Sequence, residues 1–205
     1  MGKKLIIIGA SGHGKVVANI AKMSGYEKIE FLDDNDKIIS CGNYNVVGKV
    51  EEFKKYKDRD FIVGIGNAEI RKKIQNRILN DGCKVVTLIH PNAVVADDTE
   101  LGVGTVVMAG AVINSGSIIG NGVIINTCSS VDHDCMVKDF VHVSVGAHVA
   151  GTVCIAEKTW IGIGATIINN INITATCTIG AGAVVVNDIE QEGTYVGVPA
   201  KIVLK

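Results

Sequence analysis

Five histidines are spread over the 205 residues, and one sits where proton transfer is easiest to arrange: His133 lies between Asp132 and Asp134, just after the polar run at 126–130. Imidazole, with an unperturbed pKa of about 6.5, takes a proton near neutrality, and an adjacent carboxylate raises its basicity and can fix its tautomer. His133 therefore reads as a general base oriented by an adjacent carboxylate, Asp132 or Asp134, against a plainer reading as a surface histidine in a solvated turn. A covalent route would need a thiol, and Cys135 and Cys128 are at hand. Cys135 falls at an inward position of the repeat described next, which reads as core, and nothing beside Cys128 is an obvious activator. A second segment with chemistry is Gly9-Ala10-Ser11-Gly12-His13-Gly14, which follows a strand-like run and opens a helix-like one. Its N–H groups and the helix N-terminus could hold phosphate oxygens. The spacing is G-x-x-G-x-G rather than the dinucleotide G-x-G-x-x-G, which argues against NAD. Asp33 and Asp34 close the following strand on the same edge, where a carboxylate could accept from a ribose hydroxyl or a base N–H. These residues alone support nucleotide binding; the competing reading is that the glycines only permit a tight turn.

A six-residue period supplies the scaffold of the later half. Stepping by six from Ile89 to Val185 meets Ile, Val or Leu at all 17 positions. Four residues further on the side chains are mostly small, as at Ala111, Ser117, Cys135, Ala147, Thr159 and Ala183. A period of six is neither the helical 3.6 nor the simple strand alternation, but it fits a parallel β-helix with one side per hexad. With three hexads to a coil, residues 18 apart stack at the ~4.8 Å strand spacing, giving five to six coils and a prism ~27 Å long.

Residues 1–88 follow a different rule. A buried-strand run at 3–8, a helix at 15–23 with Val16, Val17, Ile20 and Met23 at helical spacing, and a strand at 29–32 are followed by helical 50–56, a strand at 61–65, a helix at 68–79 and a strand at 84–88. That alternation predicts a small parallel sheet with right-handed crossovers.

Composition limits the partners. Twenty basic against 21 acidic side chains leave a net charge near −1, which offers no field to nucleic acid. Six cysteines without a C-x-x-C pair read as free thiols in a reducing compartment. No run approaches the ~18 apolar residues of a membrane span. The apolar stretch after Lys3-Lys4 meets Gly9 too early for a signal peptide, so the expected location is the cytoplasm.

A nucleotide-type domain placed before a hexapeptide prism resembles the bacterial sugar acyltransferases of the NeuD and PglD type, over essentially the whole chain. The matching segments are the 9–14 turn, Phe31-Leu32-Asp33-Asp34, Ile65-Gly66-Asn67 with Glu69-Ile70-Arg71-Lys72-Lys73-Ile74, and residues 126–146. Gly197-Val198-Pro199-Ala200-Lys201 looks like that family's closing segment. The resemblance implies an α/β N-terminal Rossmann-like parallel sheet followed by an all-β left-handed parallel β-helix. Its parts would be a nucleotide-sugar-binding domain at 1–88, an acetyl-CoA and catalytic domain at 89–190, and a closing segment at 191–205. The implied assembly is a homotrimer with sites at subunit interfaces.

The implied activity is transfer of acetyl from acetyl-CoA to the 4-amino group of a UDP-linked amino sugar, directly, with His133 as base. Asp134 stands where PglD-like enzymes have glutamate. The family's acetyl-CoA-associated histidine falls on His142 and its acceptor-contacting asparagine on Asn126. Ser11, Gly12, His13, Asp33, Asp34 and Asn67 fall on the nucleotide-sugar side, and Gly151, Ile163 and Ala181 are placed against CoA by analogy. Arg71 is either a phosphate contact or part of a solvated helix face with Lys72 and Lys73. Trp160, one coil after His142, either lines a subunit groove or the CoA cleft, or is plain packing. His148 reads as a prism-surface residue and His90 as part of the junction. No metal is expected: the three-histidine zinc spacing of gamma-type carbonic anhydrases is not matched. The alternatives are O-acetylation of a sialic-acid-like sugar, N-acetylation of a GDP-linked amino sugar, and a catalytically idle trimeric scaffold.

Overall fold

Leu5, Ile6, Ile7 and Ile8 have no exposed surface, as befits the central strand of a parallel sheet covered on both faces. In the computed structural model, which describes residues 2–203, they belong to β1 (Lys3–Ile8). The chain runs on through α1 (Gly12–Met23), β2 (Tyr26–Leu32), a small hairpin of β3 (Ser40–Cys41) and β4 (Tyr44–Asn45), β5 (Asp60–Val63) and α2 (Ala68–Asn80). The strand order is β2-β1-β5, all parallel. The connections therefore switch from one side of β1 to the other, and the 9–14 turn lies at the carboxyl end of β1, where crevices of open α/β sheets form. Contacts divide the chain into Met1–Pro91 and Asn92–Lys205.

Three details of the first unit differ from the sequence reading. Val50–Tyr56 is a 3-10 helix that buries only Phe53, edge-on to Phe61 with ring centroids 6.2 Å apart. The strand expected at 84–88 is reduced to one parallel bridge, Phe61 with Val85, before the two-residue strand Leu88–Ile89. Arg71 is not on a solvated face: it is 1% exposed, because its spacing places it on one stripe of α2 with the buried Gln75 and Ile78, while Lys73 points outward.

Each of the 17 aliphatic positions of the repeat ends a two-residue strand, from Leu88–Ile89 to Val184–Val185. From residue 94 onward the strands stack in parallel at an offset of 18, as in Val112 with Ser130, Ile118 with Met136 and Ile124 with His142. Three faces result. The first carries Val94–Val95 and its successors, the second Glu100–Leu101, the third Val106–Val107. Val131, Val143, Ile155, Ile161 and Ile167 fill the interior with almost no exposure.

The small inward residues do more than fill space. Thr105, Ser117 and Thr159 donate to the carbonyl 15 residues on (Gly120, Asp132, Thr174) at 2.7–3.0 Å. Each also accepts the N–H 18 residues on, from Val123, Cys135 and Cys177. Buried corners thus have their backbone groups paired by a hydroxyl ladder. Cys135 continues that ladder, its thiol donating to the Ala150 carbonyl at 3.1 Å. Residues 194–196 pair in parallel with Thr178–Ile179 and turn back, through a cis Val198–Pro199 bond, into Lys201–Ile202.

Replacing Thr159 with Val keeps the volume and removes both bonds. The expected cost is about 1–3 kcal/mol in urea unfolding of the prism.

Candidate active site

At the carboxyl edge of the first unit the 9–14 turn is held by its neighbours. Gly9 has φ +101°, and a Cβ on Gly14 would lie 2.1 Å from the Gly9 carbonyl oxygen, so both positions need glycine. Gly12 faces open space and Ser11, the exposed N-cap of α1, makes no side-chain capping bond. Asp33 Oδ2 accepts the Ala10 N–H at 2.7 Å and Oδ1 the Asn35 N–H at 2.8 Å. Asp34 Oδ1 accepts the Val50 N–H at 2.9 Å, and Asn67 caps α2 by accepting the Ile70 N–H at 3.0 Å. The expected ligand-side residues are therefore also the struts of the edge.

Below them lies an electrostatic pair that the sequence does not announce. Arg71 donates to the carbonyls of Ile65 and Gly66 at 2.9 and 2.7 Å. Burial lowers its pKa to about 10, so it stays a cation. His13, in the first turn of α1, is pushed down to about 4, first by burial and then by the charge of Arg71. His13 is a neutral imidazole at pH 7.

On the prism, His133 and Asp134 occupy the corner between the first and second faces. His133 Nδ1 is 2.9 Å from Asp134 Oδ2, and both side chains are exposed. That hydrogen bond raises the histidine's pKa against an opposing desolvation, and the charges of Asp132 and Asp134 add to the rise. Asp132 accepts the His133 N–H and an Asn114 amide N–H, which fixes the corner backbone. Asp134 sits at φ +57° in a position where the preceding coil has Gly116 at φ +73°. A Cβ on Gly116 would lie 2.5 Å from Asp134 Oδ1, and one on Gly151 would lie 2.4 Å from His133 Nε2. Glycines one coil before and one coil after make room for the pair.

A second cluster lies on the third face and the corner that follows it. Asn126 reaches His142 Nε2 at 3.0 Å, and His142 stacks on Trp160 with centroids 5.4 Å apart. Ile163 and Ala181, also on that corner, are exposed and one coil apart. The prism thus brings Asn126, His142, Trp160, Ile163 and Ala181 to one edge, and His133, Asp134 and Gly151 to another. Cys135 is buried and its thiol pKa is raised by burial, which fits core and not nucleophile. Cys128 is exposed at φ +55°. His148 is exposed on the first face against Ser130 Oγ at 2.9 Å. Among the described residues no cluster of three His, Cys, Asp or Glu side chains is arranged for a metal, and no helix is long and apolar enough to cross a membrane. The neighbours that sequence reasoning missed, Gly116 for Asp134 and the ring partnership of Trp160, were signalled by the 18-residue offset itself.

Residues 4–78 match the family model of the PglD N-terminal domain. The acetyltransferase domain of PglB from Neisseria gonorrhoeae, solved with acetyl coenzyme A, is 41% identical with a TM-score of 0.95, over 99% of this chain and 100% of that one. A mutant of perosamine N-acetyltransferase from Caulobacter crescentus, solved with CoA and GDP-perosamine, is 34% identical with a TM-score of 0.93, over 98% of this chain and 97% of that one. UDP-N-acetylbacillosamine N-acetyltransferase of Bacillus subtilis is 35% identical over 112 residues, 52% of each chain. The chain spans about half the length of the curated relatives it matches.

Two titrations test the site. In histidine NMR, His133 is expected above its ordinary 6.5, and Asp134→Asn moves its midpoint downward. For His13 the folded pKa lies below the unfolded one, so the unfolded state binds more protons as pH falls. Stability from this group is complete above 6.5 and is lost as pH falls from 6.5 to about 4. Urea midpoints of His13→Asn measured across that range should fall less steeply than those of the parent.

Proposed function

Because the chain belongs to the PglD-type family of hexapeptide-repeat sugar acyltransferases, we propose that it transfers acetyl from acetyl-CoA to the 4-amino group of a nucleotide-linked amino sugar. The observation that carries this reading is the His133–Asp134 pair, exposed on a prism corner with Nδ1 held at 2.9 Å by the carboxylate. A carboxylate can only accept, so Nδ1 carries the proton and Nε2 keeps its lone pair. Nε2 then takes the proton that the attacking amine must lose as its C–N bond forms on the thioester carbonyl. The C–S bond breaks, and the thiolate of CoA recovers a proton from the imidazolium.

Asn126 and His142 serve the acceptor and the acetyl group, and Ile163 and Ala181 offer apolar contact to CoA. Gly151 keeps a side chain away from the base. The 1–88 domain, with Ser11, Gly12, His13, Asp33, Asp34 and Asn67, holds the nucleotide. UDP is the expected nucleotide; a GDP-linked sugar is the alternative, since relatives are named for both. The assembly is a homotrimer, in which the His133 corner of one copy meets the third-face edge of another. Its separation of the two clusters within one chain supports that arrangement.

An acceptor panel tests this directly. Incubation with acetyl-CoA and UDP- or GDP-linked 4-amino sugars should release CoA thiol, with kcat reduced about 10²- to 10⁴-fold in His133→Ala. Turnover confined to hydroxyl acceptors would reassign the enzyme to O-acetylation, and binding without turnover on any acceptor would leave the scaffold. Mixing His133→Ala with His142→Ala subunits should restore part of the activity if sites are shared between copies.

A further inference from the structure

We propose that Trp160 is a positioning residue: stacked on His142, it works with Asn126 to hold that imidazole in one plane and one neutral tautomer at the acyl-donor side of the site. Its placement at the acyl-donor side rests on the acetyl-transfer reading, and the geometry stands without it.

Trp160 follows His142 by one coil, and the strands His142–Val143 and Trp160–Ile161 pair in register, so the two outward side chains stand one above the other. Their ring planes are 10° apart and their centroids 5.4 Å apart. Trp160 Nε1–H donates to Ser144 Oγ at 2.5 Å, so the indole cannot swing off the imidazole without giving up that bond. Within one chain Trp160 is 48% exposed while its neighbour Ile161 has no exposed surface, so the core of the prism does not set the position of the ring. An exposed indole tied at its polar end and parallel to an imidazole is placed by the stack and its hydrogen bond rather than by the core.

Asn126 supplies the second constraint. Its Oδ1 accepts the Thr127 N–H at 2.8 Å, so the amide nitrogen is the atom that reaches His142 Nε2 at 3.0 Å. A donor there requires the lone pair on Nε2, and the ring proton sits on Nδ1. Asn126 selects the tautomer, and Trp160 holds the plane in which the Asn126 bond can form; without the stack the ring leaves that bond and both tautomers populate. His133 has the same tautomer for the opposite reason, since there a carboxylate accepts from Nδ1.

Long-range ¹H–¹⁵N NMR of the histidine rings, recorded on the protein without substrate, reads the tautomer. The expected result is Nδ1–H at His142 in the parent and in Trp160→Phe, a population averaged over both tautomers in Trp160→Leu, and a switch to Nε2–H in Asn126→Asp, which offers an acceptor in place of the donor. In kinetics Trp160→Leu should raise KM for acetyl-CoA about tenfold with kcat changed less than about threefold, and Trp160→Phe should restore KM to within about threefold of the parent. An Nε2–H signal in the parent overturns the proposal, and so does a Trp160→Leu protein with parental tautomer and parental KM. Absence of turnover on every acceptor counts against acetyl transfer alone, because the NMR arm needs no substrate.

Discussion

Parallel stacking in strict register at an offset of 18 residues is the constraint on which the prism and its chemistry both depend. The ladder hydrogen bonds fix the separation of successive coils, so each outward side chain has the residue one coil away as its nearest neighbour. On a flat face, planar rings can use that spacing, as His142 and Trp160 do. On a corner there is less room. His133 has Gly151 beside its ring, and Asp134 has Gly116 beside its carboxylate. The same rule that permits a stack on one edge demands glycines on the other.

The corner also imposes a backbone cost. From Gly104 to Gly182 one residue in each corner takes a left-handed conformation, and many coils use glycine there, as at Gly110, Gly116, Gly146 and Gly164. Asp134 occupies such a position at φ +57°. Aspartate tolerates that region better than most residues, and the conformation carries its carboxylate back onto its own neighbour's imidazole. From there the short aspartate side chain closes a 2.9 Å contact with His133 Nδ1.

The period of six made nearly all of the prism legible before any coordinates, because a large and a small inward residue per hexad leave few other ways to bury both. Val131, Ile155 and Ile167 are buried as expected, and so are Cys135 and Thr159. The first unit was legible in its long elements and less so in its short ones. The 3-10 geometry of 50–56 and the single bridge at Val85 reflect tertiary packing that local pattern does not encode. Arg71 was obscured by the lysines beside it, since a charged run suggests solvent unless the helical stripe of 71, 75 and 78 is traced. The chemistry at the corner was legible as residue types and the 18-residue stack as a period, but which glycine made room for which side chain depends on the directions the His133 and Asp134 side chains take, which the period does not encode.

The two units solve opposite electrostatic problems. At the prism corner a carboxylate raises the pKa of an exposed imidazole, which keeps His133 basic while leaving it open to a partner. At the edge of the sheet the reverse holds: its own burial first, and then repulsion from the buried Arg71 guanidinium, keep His13 neutral. Arg71 donates to the carbonyls of Ile65 and Gly66 and is 1% exposed, so its influence on a ligand would come through its field and through the loop it braces. Asp33 and Asp34, for their part, use carboxylate oxygens to tie down Ala10, Asn35 and Val50. Each such oxygen retains a further lone pair, so bracing the edge and accepting from a nucleotide are compatible tasks for the same side chain. On the proposed reading, the anionic phosphates would enter an edge whose acids are already engaged and whose buried cation is not neutralised by its own histidine.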